Sequence, residues 1–171
     1  GYPVIHVAVV DGQLTLSQQQ FFIGEGQDVD RQWQVPLNSN YDNAPTILTE
    51  KTLSLGDYDV LRATAGEPFR VNVGNDSHVI VHYDDTLLRD ILTEVDQLEA
   101  ISQLQILQDL RLLADGSQIS YADIVPLLLR FAHSSATIVN DALYRVAGNL
   151  RQFVLPDSED EQALKQFYGK L

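Results

Sequence analysis

Up to about Tyr83, apolar and polar residues alternate with the period of two that is typical of β-strands. Short runs rich in β-branched residues are separated by turn-forming Gly, Asn, Asp and Pro. The segments predicted as strands are VIHVAVV from Val4, QLTLSQQQFF from Gln13, RQWQVPL from Arg31, one or two strands within TILTEKTLSLGDYDVLRA from Thr46, PFRVNV from Pro68 and HVIVHY from His78. Several short strands at this spacing predict an antiparallel β-sandwich.

After Asp84 the apolar residues recur every three or four positions, which is the period of α-helices. Short connections between the apolar stripes favour antiparallel helical hairpins. The first two predicted helices have apolar stripes over residues 87–95 and 104–113, and the second ends at Asp115-Gly116. The third has its stripe over residues 124–131, with Ser120 or Asp123 as its cap and Pro126 in its first turns. The fourth has its stripe over residues 139–154 and stops before Pro156, and a short fifth helix runs from a cap at Asp157 or Ser158 to about Tyr168. The change of period therefore predicts a β-sandwich domain over residues 1–83 and an α-helical segment over residues 84–171.

The composition sets the size of the fold and excludes several kinds of site. With 171 residues, 44% of them hydrophobic, the chain can form one sizeable domain or two small ones. Cysteine is absent, so disulfides, thiolate metal sites and Cys nucleophiles are excluded. The mean hydropathy is −0.10 and no apolar run approaches the ~20 residues of a membrane span, so no membrane partner is expected.

The net charge narrows the class of partners. The chain carries 11 Lys and Arg against 24 Asp and Glu, a formal net charge of −13. Binding to nucleic acid requires clustered basic residues, and the sequence contains no such cluster. We therefore expect no nucleic-acid partner, and the acidity is typical of a soluble protein. The absence of cysteine is compatible with the cytoplasm, which is the expected location.

The segment SHVIVHYDD contains the strongest candidate for a metal site, because His78 and His82 are four positions apart. On a helix this spacing would bring two imidazoles to one ion. The β-branched residues between them instead predict a strand, on which the two side chains lie about 13 Å apart. One zinc ion binds imidazole nitrogens at about 2 Å, so this pair cannot chelate it. The two histidines are therefore expected to lie on a polar, half-exposed strand face.

The acidic clusters have simpler interpretations than catalysis. Asp84 and Asp85 precede a predicted helix, where carboxylates cap the first turn. Asp57-Tyr58-Asp59 and residues 157–161 (DSEDE) supply oxygen atoms without the spacing of a calcium loop. A solvated turn and a capped helix start are the respective interpretations.

The remaining candidates are a possible nucleophile, a glycine loop and the single tryptophan. Ser134 and Ser135 follow His133, but no G-x-S-x-G elbow surrounds them, and a helix end explains them better. Residues 24–26 (GEG) lack the Lys and Ser or Thr of a phosphate loop and are predicted to form a hairpin loop. Trp33 lies in an alternating segment and is expected in the core. Hence no catalytic, cofactor-binding or metal-ligating residue is assigned, and these residues alone indicate a two-part structural or binding module.

The order of these segments resembles a known family. Along the whole chain they are residues 1–4 (GYPV), LTLSQQQFF, residues 33–36 (WQVP), FRVNV with Asn72, VIVHYD with Tyr83-Asp84, and QILQDLRLLADGSQISYADIVPLL. This succession resembles the region downstream of the catalytic domain in zinc aminopeptidases of the aminopeptidase N family, especially the bacterial ones. The chain also starts without Met and directly in a predicted strand, so we expect a piece of a longer protein.

The resemblance implies a fold and an activity for that longer protein. In the family a β-sandwich spacer follows the catalytic domain, and a helical domain of stacked hairpins covers the active site. The chain would be the spacer and the first hairpins, with the catalytic domain and the remaining helical domain as its partners. The zinc motif H-E-x-x-H-(18 residues)-E and the substrate motif G-x-M-E-N are absent here and belong to the preceding domain. There zinc would activate water, with Glu as base, to cleave the N-terminal residue from a peptide.

The sequence departs from the family pattern at three places. The family's Tyr-Arg before the last strand's Val is replaced by Val79-Ile80. Its Arg in the second helix is missing around residues 102–105, and a Glu and a Trp of later helices are missing near residues 134–140. No contact with substrate is therefore carried over through these positions.

Two other functions remain open from the sequence. The chain could be an independent binding module with a sandwich and a helical cap, which would be self-contained and have a polar end. It could also be a metal hydrolase that uses His78 and His82, which the strand spacing disfavours. A non-catalytic part of an aminopeptidase is instead expected to bind no metal and to show no activity by itself.

Overall fold

The computed structural model describes residues 2–22, 31–150 and 158–170, together with Pro156. The strands are β1 (Pro3–Val10), β2 (Gln13–Gln20), β3 (Val35–Pro36), β4 (Ile47–Leu48), β5 (Thr52–Asp57) and β6 (Ile80–Tyr83). The helices are α1 (Tyr58–Ala65), α2 (Asp85–Thr93), α3 (Ala100–Asp115), α4 (Tyr121–Leu128), α5 (Thr137–Leu150) and α6 (Glu159–Lys170), with 3-10 turns at Val95–Gln97 and Leu129–Phe131. The predicted order of strands followed by helices is confirmed. No helix in these described ranges combines the length and apolarity needed to cross a membrane.

The main sheet has four strands in the order β5-β2-β1-β6. Asp11 and Gly12, both with positive φ, form the tight turn between the antiparallel strands β1 and β2. β5 adds antiparallel to β2, whereas β6 runs parallel to β1. The sheet is therefore mixed and not purely antiparallel as the sequence pattern predicts. β3 and β4 form a separate two-stranded sheet, and the sandwich arrangement stays a prediction.

The chain forms two compact units, residues 1–93 and 94–171. The boundary lies after Thr93, whereas the change of period predicts one after Tyr83. The difference arises because α2 packs against β1 and belongs to the first unit. Four of its apolar side chains are buried there: Leu87, Leu88, Ile91 and Leu92. A helical period thus marks where helices begin but does not show against which layer the first one packs.

Two predicted strand segments have other structures. PFRVNV forms bends, and Asn72 has a left-handed φ of 59°. The side chain of Asn72 accepts from Ser77 N (3.0 Å) and donates to Ser77 O (3.1 Å), so it holds a turn where a strand would need extended backbone. The segment after Asp57 is helix α1, since the Asp57 carboxylate accepts from Val60 N (3.0 Å) and Gly66 ends the helix at φ 75°.

In the second unit the predicted helix ends are largely confirmed. α3 ends at Asp115, directly before Gly116. Ser120 Oγ accepts from Asp123 N (3.2 Å) and caps α4, and Ser158 Oγ accepts from Glu161 N (3.1 Å) and caps α6. α3 contacts both α4 and α5, and α4 contacts α6. Val154 and Asp157, which were part of the predicted boundaries, lie outside the described residues.

Candidate functional site

The two histidines of the SHVIVHYDD segment have different neighbours. His82 lies inside β6, as the strand prediction requires, and His78 lies in the bend before it. The ring centre of His78 is 6.3 Å from that of Tyr2. The ring centre of His82 is 5.0 Å from that of His6, which stands opposite it in the register of β1 and β6. The imidazole that lies beside His82 is therefore on a neighbouring strand.

The pair formed by His6 and His82, here called the imidazole pair, lies on one face of the sheet with a polar neighbour. His6 Nε2 is 3.0 Å from Oε1 of Gln19 on β2. Burial lowers the pKa of His6, and the hydrogen bond to Gln19 opposes this shift more weakly. His6 is thus neutral at pH 7.

The predicted capping role of Asp84 is confirmed. Its Oδ1 accepts from Leu87 N and its Oδ2 from Val9 N, both at 2.8 Å. The carboxylate thereby caps α2 and ties the start of that helix to the end of β1. With both oxygens bonded to backbone donors, Asp84 serves the fold and not acid-base chemistry.

The other sequence candidates are also structural where they are described. Ser134 is buried, and its Oγ accepts from Ala136 N (3.3 Å) just before α5, while His133 is exposed. Trp33 is half-buried and not in the core, and its backbone N donates to the side-chain Oε1 of Gln18 at 2.7 Å. The glycine loop at residues 24–26 lies outside the described residues.

A polar cluster on α1 and α2 was missed by the sequence interpretation. Asp90 of α2 accepts from Tyr58 Oη (3.0 Å) and from two nitrogens of Arg62, Nε at 2.9 Å and Nη2 at 3.2 Å. Tyr58 and Arg62 are one helical turn apart on α1 and reach the same carboxylate. Had α1 been predicted as a helix, the four-residue spacing would have placed Tyr58 and Arg62 on the same helix face. No local sequence pattern identifies Asp90 as their partner.

The electrostatics of this cluster favour one set of protonation states. Hydrogen bonding from Arg62 holds the pKa of Asp90 below its usual value, against the opposing effect of burial. Burial raises the pKa of Tyr58, so the phenol stays neutral over the physiological range. The Asp90 anion, which is bonded to the Arg62 cation and to the neutral Tyr58 phenol, braces α1 against α2. Neither Asp90 nor Tyr58 is available for proton transfer at pH 7.

This cluster predicts a specific loss of stability in acid. Because the pKa of Asp90 is lower in the folded state than its unfolded value of about 3.9, its contribution is fully present above that value and is lost as the pH falls through the folded pKa. We expect Asp90→Asn to flatten the pH dependence of the free energy of unfolding below about pH 4. Urea denaturation between pH 3 and pH 7 measures this, with Asp59→Asn, which changes an exposed carboxylate on α1, as control. An unchanged slope in Asp90→Asn would contradict it.

The described residues do not contain a complete metal centre. No group of three or more His, Cys, Asp or Glu side chains lies close enough together within them to hold an ion. Catalytic zinc sites use three protein ligands and an open position for water. The described geometry thus does not fit a catalytic zinc.

Comparison with known proteins identifies close relatives. No protein-family model matches the chain. Over its whole length it is 58% identical to an aminopeptidase N of Lactobacillus helveticus and 55% identical to one of Lactobacillus delbrueckii subsp. lactis. An aminopeptidase N of Lactococcus lactis subsp. lactis is 42% identical, again over the whole chain. The chain spans 20% of the length of each of these curated relatives.

Proposed function

This chain is homologous along its whole length to one segment of the bacterial aminopeptidases N, and we propose that it is a non-catalytic, interdomain part of such an enzyme. The observation that carries the proposal is the 58% identity across the full chain, which covers 20% of the relative. The longer protein would remove N-terminal amino acids from peptides, and we propose a cytoplasmic location for it.

The catalytic zinc of that protein belongs to another segment in this proposal. The sequence contains no H-E-x-x-H motif, and the described residues do not form a three-ligand site. In this proposal the chain's own residues stabilise its fold and make contacts between domains. No step of peptide hydrolysis is assigned to them.

Two features support an interdomain role. The sheet-containing unit and the helical unit are each compact, as a spacer and the beginning of a larger helical domain would be. On α5 the apolar side chains Ile138 and Tyr144 are 50% and 57% exposed. Exposed apolar side chains on a helix fit contacts with further helices of the longer protein. The proposed partners are accordingly the catalytic domain and the rest of the helical domain.

The proposal predicts where activity is found. An antibody raised against this chain is expected to detect a band several times larger than 19.1 kDa in the source cells. The immunoprecipitated protein should release N-terminal residues from peptides and lose this activity with a chelator. The isolated 19.1-kDa chain should release none.

Two results would overturn the proposal. A single band at 19.1 kDa would favour an independent binding module. Peptide hydrolysis by the isolated chain that a chelator abolishes would place catalysis within it. The variant Phe69→Ala, purified in parallel, is the control for contaminating host enzymes. A contaminant would copurify with both the unaltered chain and the variant, so the same activity would appear in both preparations.

A further inference from the structure

The imidazole pair is produced by tertiary structure alone. His6 and His82 are opposite each other because β6 adds parallel to β1 in the register His6↔His82. Paired residues on adjacent strands point to the same face of a sheet. Their ring centres are 5.0 Å apart and the ring planes are inclined by 46°.

This separation matches two imidazoles bound to one metal ion. Zinc binds imidazole nitrogen at about 2.0–2.1 Å, which places the ring centre roughly 3 Å from the ion. Two rings around a tetrahedral ion then have centres roughly 5 Å apart. The pair in the sheet already has this spacing, whereas two histidines four apart along one strand do not.

The protonation of His6 is also suited to metal binding. Gln19 Oε1 is an amide oxygen and can only accept, so Nε2 of His6 donates to it across 3.0 Å. The proton is therefore on Nε2, and Nδ1 carries the lone pair. A ligating histidine commonly donates its other N–H in this way, which orients the ring and raises its basicity.

We propose that His6 and His82 together bind one divalent transition-metal ion of the imidazole-preferring class, such as Zn²⁺, with water completing the coordination. Gln19 is the positioning residue. This departs from the expectation that the chain ligates no metal. The ion would cross-link β1 to β6, which is the terminal strand of the four-stranded sheet, and would thereby stabilise the folded sheet. The inference does not depend on the proposed aminopeptidase function.

The test is titration of the metal-free chain with Zn²⁺, followed by calorimetry and by the imidazole signals in NMR spectra. We expect uptake of one equivalent and shifts of the His6 and His82 ring signals. His6→Gln and His82→Gln should each weaken the affinity at least tenfold, because each removes one of two ligands. Gln19→Ala should weaken it about tenfold through loss of orientation. Zn²⁺ should raise the Tm of the unaltered chain more than that of either histidine variant.

Matched controls separate this site from other imidazoles. His78→Gln tests the alternative pair of His78 with His82, and His133→Gln tests an exposed imidazole in the other unit. Both should retain the affinity of the unaltered chain. No uptake, uptake that survives His6→Gln or His82→Gln, or loss in His78→Gln would each overturn the proposal. If a variant fails to fold, the NMR result on the unaltered chain decides, since zinc that leaves either the His6 or the His82 signals unshifted contradicts the site.

Discussion

Truncation of Phe69 to alanine is expected to lower the free energy of unfolding of the sheet-containing unit by about 3–5 kcal/mol. The Phe69 side chain is 0% exposed, and its ring meets that of Tyr41 edge-on with centres 4.9 Å apart. The substitution removes the buried ring, leaves a cavity and ends this aromatic contact. Phe69 lies in an irregular segment, and the next two backbone N–H groups are held by Asn40 Oδ1 (from Arg70 N, 2.7 Å) and by Tyr83 Oη (from Val71 N, 3.0 Å), so the backbone cannot easily close around the void. Urea denaturation followed by tyrosine fluorescence or circular dichroism measures the loss.

The matched control for this variant is Val60→Ala. Val60 is 63% exposed, so its truncation should change the free energy of unfolding by less than about 0.5 kcal/mol. A loss below about 1 kcal/mol in Phe69→Ala would show that residues 68–73 do not contribute to the core as the structure describes. The variant therefore tests a segment that is not the predicted strand but that nevertheless buries Phe69 and Val71.

Replacement of Asp90 by alanine is expected to cost about 1–3 kcal/mol of unfolding free energy. The change removes three hydrogen bonds, one from Tyr58 and two from Arg62, and leaves both donors without their acceptor. The side chains of Arg62 and Asp90 are 30% and 29% exposed, so water compensates part of the loss. The effect should therefore be smaller than for a fully buried ion pair.

A double-mutant cycle measures the Asp90–Arg62 interaction without the other effects of truncation. Arg62→Met retains much of the aliphatic side chain, and its combination with Asp90→Ala should destabilise less than the sum of the single changes. Lys165→Met, which removes a more exposed i,i+4 partner of Glu161 at 3.1 Å, is the comparison and should change stability little. Additive single and double changes would show that the bidentate contact contributes nothing net.

Phe69 and Asp90 both stabilise parts of the first unit that lie outside its four-stranded sheet. Strand pairing accounts for β5-β2-β1-β6, but residues 66–79 contain no strand. This segment is held by side chains that reach backbone: Tyr83 Oη accepts from Val71 N (3.0 Å), and Asn40 Oδ1 accepts from Arg70 N (2.7 Å). Polar side chains thus replace ladder hydrogen bonds there, which satisfies buried donors in an irregular segment.

Local features of the chain were predictable wherever the determining interactions are local. The predicted helix with the Asp115-Gly116 end is confirmed as α3. For α4 and α6 the sequence offers two cap candidates each, and Ser120 and Ser158 are the ones that accept the capping hydrogen bonds, which are contacts across three residues. The prediction for PFRVNV was wrong because alternation does not fix the backbone conformation: Phe69 and Val71 are buried, but so is Asn72, and Val73 is only half-buried. The positive φ of Asn72 is what turns this segment away from a strand.

The candidate sites show the same division. The prediction that His82 lies on a strand is confirmed, whereas His78 lies in the bend before β6, so extended geometry does not set the distance between the two. The proximity of His6 to His82, and that of Asp90 to Tyr58 and Arg62, depends on which elements pair. These contacts join residues that are far apart in the sequence, and no periodicity specifies them.

The sequence by itself determined the order of β before α, the end of α3 at Asp115 and the family resemblance, because period, helix-stop signals and motif order are read along the chain. Only the tertiary structure decided that β6 adds parallel to β1, that α2 belongs with the sheet, and that two imidazoles and an Arg–Asp–Tyr cluster come together. The physical reason is that strand partners and layer contacts are selected by the total apolar burial and hydrogen bonding of the whole unit, which no single segment encodes.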